Sequence, residues 1–335
     1  MIPFPSLTAV AIFVVGLAPA AGQDRVHVAG ATGGKRVMIG RVLEYTGRAV
    51  EFEHPGGRRE TVPGERVLRV ETQHVRTHQE ADAAFARRRF DQALALYARA
   101  GNEEPRAWVR RQILAQKVRC YRAIDRIDLA GTEFLLLVQS DPYTPQFHCI
   151  PLAWVPRQRS AALEQAARGW LGRDDPVAGL LGASHLLSTA ARPEAVARFR
   201  RLSTDPNPRI ALLATAQLWR TAVTTGGAGQ LDAWEQTVEQ MPEPLRAGPY
   251  SVLGQGRMHA KQWEEAALAS LRAPILYPDD RRLAAAGLVA AGRALGQLGR
   301  PRRAARLYRE VFEAYPEQDR AVAEARHRLE TLSRE

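Results

Sequence analysis

Between residues 24 and 72, apolar side chains come in short runs that alternate with polar ones, and turn-forming residues separate the runs. The runs are 25–28, 36–45, 49–53, 60–62 and 67–71. The breaks are GATGG at 30–34, Thr46-Gly47-Arg48, His54-Pro55-Gly56-Gly57 and Pro63-Gly64. Short apolar-rich runs between turn signals predict four or five strands. Strands this short make a small open barrel or curled sheet, with a core marginal enough that it should lean on the next domain. From Thr77 the pattern turns helical. Alanine, leucine and arginine dominate, and breaks fall roughly 12 to 18 residues apart. The composition then stays uniform to the end, which predicts one helical array.

One spacing recurs within that array. Leu288, Ala291, Gly292 and Leu295 fall at i, i+3, i+4 and i+7, one face of a helix. Gly299 ends that helix and Pro301 opens a second, which carries Ala304, Tyr308 and Val311 on one face and is followed by Pro316. In the second copy Tyr250, Leu253 and Gly254 start the first helix and Trp263 opens its partner, with Ala266, Ala273 and Pro278 at matching offsets. In the third, Ala81 and Ala84 precede a helix opened by Phe90 that carries Tyr97, Ala100 and then Pro105. Small residues let two helices approach, the aromatic fills the gap to the next helix, and the proline turns the chain onward.

These copies, at 74–105, 247–278 and 285–316, resemble the tetratricopeptide repeat, a helix-turn-helix unit of about 34 residues. A degraded copy fits 111–142, with Ala130, Phe134 and Pro142 in place but Lys117 and Val118 where small residues belong. Helices at 158–240 follow Asp174-Asp175-Pro176 and Asp205-Pro206-Asn207-Pro208 and resemble the longer pairs of HEAT-type repeats. The segment PQFHCIPLAWVP, 145–156, is apolar, proline-rich and poorly helical; it reads as an extended strap against the array or a joint between two halves. The expected fold is mainly α, a tetratricopeptide-like α-solenoid preceded by a small β-barrel or curled sheet of SH3-like size. The expected divisions are a signal peptide at 1–22, a β-module at 23–73, repeats with the strap at 74–157, HEAT-like pairs at 158–245, and repeats with a capping helix at 246–335. This order resembles that of exported bacterial repeat proteins.

The first 22 residues carry no charged side chain, residues 7–17 are apolar, and Ala18-Pro19-Ala20 is an A-x-A pattern. This predicts a secretory signal peptide cut after Ala20 or a residue or two later, and hence a periplasmic or cell-envelope protein. The n-region lacks lysine and arginine, so an uncleaved anchor is the other reading. Against it, the apolar core is shorter than the roughly 20 residues that span a bilayer, and Pro3, Pro5 and Pro19 interrupt it. Membrane association would run through that segment alone. In an exported chain Cys120 and Cys149 could join as one disulfide, or be two buried thiols.

The net charge of +11 raises the question of nucleic acid. The 47 basic residues are nearly all arginine, the lysines being Lys35, Lys117 and Lys261. They are interleaved with acidic residues, and the densest groups are Arg87-Arg88-Arg89 and Arg300, Arg302, Arg303 and Arg306. A solvated helix face explains these as well as a phosphate track does. Export argues against nucleic acid and leaves an anionic polymer or surface, an acidic glycan or lipid, as the alternative ligand of the arginine-rich face and the β-module.

Motifs that carry chemistry fail on inspection. A P-loop would need glycine at Ala29 and serine or threonine at Arg36, so 30–34 reads as a hairpin loop. His74 and His78, with Glu71, Glu80 and Asp82 near, could face one metal on a helix, but a helix starting near Thr77 would break that pair. His148 and Cys149 are adjacent and point apart on an extended chain. The expectation is a non-enzymatic scaffold with no cofactor, metal or small-molecule substrate. The tetratricopeptide resemblance implies a concave face lined by first-helix residues, here His78, Asp82, Ser251, Gln255, His259, Arg293 and Gln297, that holds a peptide or protein segment.

Overall fold

The computed structural model describes residues 23–30, 33–158 and 160–332; the predicted signal peptide lies outside them. Among these residues five strands are followed by fourteen helices, so the protein is mainly helical behind a small antiparallel sheet in chain order. The chain divides into two compact units. One runs to Ile113 and includes Asp141–Pro145; the other comprises Leu114–Ser140 and everything from Gln146.

The first unit is built on β1 (Asp24–Ala29), β2 (Lys35–Tyr45), β3 (Ala49–Glu53), β4 (Arg59–Pro63) and β5 (Val67–Glu71), in the spatial order β4-β3-β2-β1-β5. All pairings are antiparallel, and β1 and β2 stay paired to Ala29–Lys35. Inward residues alternate along the strands: Val26 and Val28, then Val50 and Phe52, are buried. The sheet does not close its core alone. Trp108 and Val109, at the start of α3 (Ala107–Ala123), are part of it. The unit also contains α1 (Arg76–Ala86) and α2 (Phe90–Glu103), which pack together through Ala81, Ala84, Ala93, Tyr97 and Ala100. The sheet therefore shares a unit with the first helix pair rather than forming a separate module that ends at residue 73. A core of seven inward strand residues is too small to exclude water without the indole of Trp108.

The second unit continues with α4 (Ile127–Ser140), α5 (Ala161–Leu171), α6 (Pro176–Leu186), α7 (Arg192–Leu202), α8 (Pro208–Trp219), α9 (Ala228–Gln240), α10 (Ala247–His259), α11 (Trp263–Leu276), α12 (Arg281–Gln297), α13 (Pro301–Ala314) and α14 (Asp319–Leu332). The predicted Asp-Pro and Asn-Pro breaks are helix starts. Asp175 and Asn207 cap the free N–H groups of α6 and α8 with their side chains, and Pro176 and Pro208 take the first helical position. Neighbouring helices pack in sequence. Every second helix also packs on the next: α4 on α6, α6 on α8, α8 on α10, α10 on α12, and α12 on α14. That two-step pattern is the packing of a solenoid. The array curls enough for the last turn of α3 to reach the start of α12, where Arg122 pairs with Asp280 and Arg282 Nη2 lies 2.9 Å from Asp125 Oδ1.

Four helix hairpins share one turn. Arg88, Asp125, Lys261 and Gly299 each adopt positive φ, at 60°, 59°, 59° and 65°, two residues before the second helix starts. In each, the next N–H reaches back five residues to a carbonyl at 2.9 Å: Arg89 to Ala84, Arg126 to Tyr121, Gln262 to Arg257, and Arg300 to Leu295. This is the Schellman closure of a helix end. It occurs in α1–α2, α3–α4, α10–α11 and α12–α13, the hairpins in which the recurring spacing was read.

Candidate functional site

The strap 147–154 lies along the row of even-numbered helices. Phe147 meets Phe134 of α4 edge to face at 5.6 Å. His185 of α6 donates from Nε2 to the Pro151 carbonyl at 2.8 Å. Ser184 Oγ accepts the Ala153 N–H at 2.8 Å and donates to Gln217 of α8 at 3.1 Å, while Gln217 Nε2 donates to the Ala153 carbonyl at 3.1 Å. Trp154 reaches α10, where a methyl placed on Gly248 would sit 2.1 Å from its ring. The strap opens with a 3-10 turn at Phe147–Cys149, and the irregular backbone that follows is held by side chains of successive helices, with both polar groups of Ala153 satisfied in a buried setting. Burial pushes the His185 pKa down to about 3, with Arg157 and Arg220 adding to the effect, so the ring is neutral. Sequence reasoning found the strap but not its holders. The available signal was polar Ser184-His185 and Gln217 inside otherwise apolar helices.

Five of the residues predicted to line a partner face lie on α10 and α12, which pack against each other. Ser251 and Gln255 are half-buried, and His259 and Gln297 are exposed. Arg293 is engaged from within the array, 3.4 Å from Glu324 of α14. The remaining two, His78 and Asp82, lie in the first unit. His78 is 2% exposed, and Asp82 Oδ1 accepts the Tyr97 hydroxyl at 2.6 Å. The register directs the His78 ring toward Tyr97 of α2, while the Asp82 side chain stays 43% exposed.

His78 belongs to a different arrangement, and the expected separation of its ring from that of His74 is not found. The helix does begin near Thr77, at Arg76, yet the preceding residues fold back over its first turn. Val75 has ψ 152°, and Gln79 Nε2 donates to the His74 carbonyl at 2.8 Å. The two imidazoles then lie with centroids 3.9 Å apart, and His78 meets the Tyr97 ring edge-on at 5.8 Å. His78 Nε2 is 3.7 Å from Asp82 Oδ1. Nδ1 of both histidines is buried without a hydrogen-bond partner, a cost of about 1–3 kcal/mol for each such group. Burial lowers both pKa values, and the neighbouring His74 helps take His78 to about 4. One donor atom each from His74, His78 and Asp82 lie within 4.8 Å of one another, so these three could hold a metal.

Other features offer less chemistry. Cys120 and Cys149 are both buried thiols in the second unit. Burial pushes the Cys149 pKa up to about 11, so no thiolate is available there at neutral pH. An open pocket of about 490 Å³ on the sheet is lined by Asp24, Arg41, Glu53, His54 and Arg106 among others, but by no serine, threonine or cysteine that could act as nucleophile. No helix among the described residues is long and apolar enough to cross a membrane. A scan against models of known protein families finds none that matches the chain, and a search of curated proteins finds no relative.

Proposed function

We propose that this chain is a non-enzymatic interaction scaffold of the cell envelope, which holds an extended segment of a partner protein on the even-helix face of its array. The hairpins at 74–105, 111–142, 247–278 and 285–316 are read as tetratricopeptide-like units, the middle helices as HEAT-like, and the sheet as an SH3-like module. The observation that carries the reading is the strap, whose non-helical backbone at Pro151 and Ala153 is bonded by Ser184, His185 and Gln217 across α6 and α8. A face that binds one extended chain through its main-chain groups has the chemistry to bind another farther along, on α10, α12 and α14. Ser251, Gln255, His259 and Gln297 are the residues offered there.

A photo-crosslinking amino acid at position 259 or 297, with a control at Leu268 of α11, tests this in an envelope extract treated with nuclease. A discrete protein joined from 259 and 297 but not from 268, at low and high salt alike, is the expected result. Replacing Gln255 and Gln297 together by alanine should then weaken capture without lowering the melting temperature. Crosslinks lost in high salt would favour an anionic polymer on the arginine-rich surface instead.

A further inference from the structure

We propose that His74, His78 and Asp82 bind one divalent transition-metal ion of the borderline class, such as zinc. Two imidazole nitrogens and one carboxylate oxygen are the donor set that such ions prefer, with a fourth position left for water or a further ligand. The donors come from the segment before α1 and from its first two turns, and they already lie within 4.8 Å of one another. Metal–ligand bonds of about 2.0–2.2 Å place tetrahedral donors roughly 3.4 Å apart, so side-chain rotation of an ångström or so closes the site.

Several independent features point the same way. Each ring carries a buried Nδ1 with no partner, and His78 is 2% exposed. Buried side-chain nitrogens ordinarily find a hydrogen-bond partner. Tyr97 holds Asp82 at 2.6 Å, the kind of outer hydrogen bond that fixes a ligating carboxylate. Gln79 fixes the His74 backbone at 2.8 Å. The surrounding charge favours a cation: Asp82, Glu104 and Asp24 act on these rings against the single guanidinium of Arg106.

The test uses the full chain without a polyhistidine tag, stripped with chelator and titrated with zinc by calorimetry and with cobalt by visible absorption. One equivalent of zinc per chain is expected, together with tetrahedral cobalt bands and a melting temperature raised by zinc. His74→Gln and Asp82→Asn should each weaken binding by about tenfold or more, and Tyr97→Phe by about 10- to 100-fold. His78→Ala empties a buried position and can cost the fold. His74→Gln, in the segment before α1, keeps the test decisive if that variant is lost. His327→Gln, on the exposed side of α14, should bind as the unaltered chain does. Absence of stoichiometric binding, or equal affinity in His74→Gln, Asp82→Asn and the unaltered chain, would overturn the proposal.

Discussion

Lys261 and Gly299 occupy the same left-handed position in successive hairpins, yet only one of them has the side chain that position favours. A left-handed residue with a Cβ costs about 1–2 kcal/mol relative to the right-handed form, while glycine adopts it freely. Gly299→Ala should therefore lower the unfolding free energy by about 1 kcal/mol in chemical denaturation. Lys261→Gly should raise it by a few tenths to about 1 kcal/mol, the gain being reduced by the greater entropy of glycine in the unfolded chain. Equal effects of glycine and alanine at position 261 would remove strain as the explanation. The sequence announced this turn at Gly299 alone. Arg88, Asp125 and Lys261 hide it, because the Schellman bond beyond each of them is made by backbone and needs no particular side chain. The same limit explains His74. A helix start near Thr77 said that its ring and that of His78 would part, whereas the residues just before the first turn bring the two centroids to 3.9 Å.

At the scale of elements, the strap was legible as apolar, proline-rich and non-helical, but its partners were not, because they are distant in sequence. Its attachment brings a pH dependence. His185 touches the Pro151 carbonyl, packs near the Trp170 ring at 6.5 Å, and lies in the field of Arg157 and Arg220. Its pKa is about 3 in the fold against an ordinary value near 6.5. As pH falls below about 6.5 the unfolded chain takes up a proton that the folded one refuses, so this stability is present above that pH and drains away toward pH 3. The slope is at most about 1.4 kcal/mol per pH unit. His185→Gln keeps a donor for the carbonyl and removes the titration. Its melting temperature should fall less than that of the unaltered chain between about pH 7.5 and pH 5, and parallel profiles would refute the assignment. Helix starts and ends fared better in the sequence because caps are local: Asp175-Pro176 and Asn207-Pro208 begin helices where expected.

For the molecule as a whole, a small sheet followed by a helical array was readable from periodicity, while the division into units was not. Sequence composition changes near residue 73, but burial joins Trp108 and Val109 to the sheet core. The return of Asp141–Pro145 to the first unit leaves no compositional trace either. Asp141 Oδ2 accepts the Gly47 N–H at 2.9 Å, and the Arg48 guanidinium lies 4.1 Å from the centre of the Tyr143 ring. A fragment ending at residue 113 lacks these partners. It should therefore melt at a lower temperature, or less cooperatively by circular dichroism, than one ending at residue 145, and identical transitions would show that the loop contributes nothing.

That returning loop also sets an order of assembly. A ribosome makes the chain from its amino terminus, and domains ordinarily close as soon as their last residue emerges. Here the last pieces of the first unit, Asp141–Pro145, emerge only after Leu114–Ser140, which belongs to the second. The sheet and its helix pair must therefore wait, incomplete, while part of their neighbour is synthesised. During that interval the turn between β2 and β3 lacks the Asp141 carboxylate that accepts the Gly47 N–H.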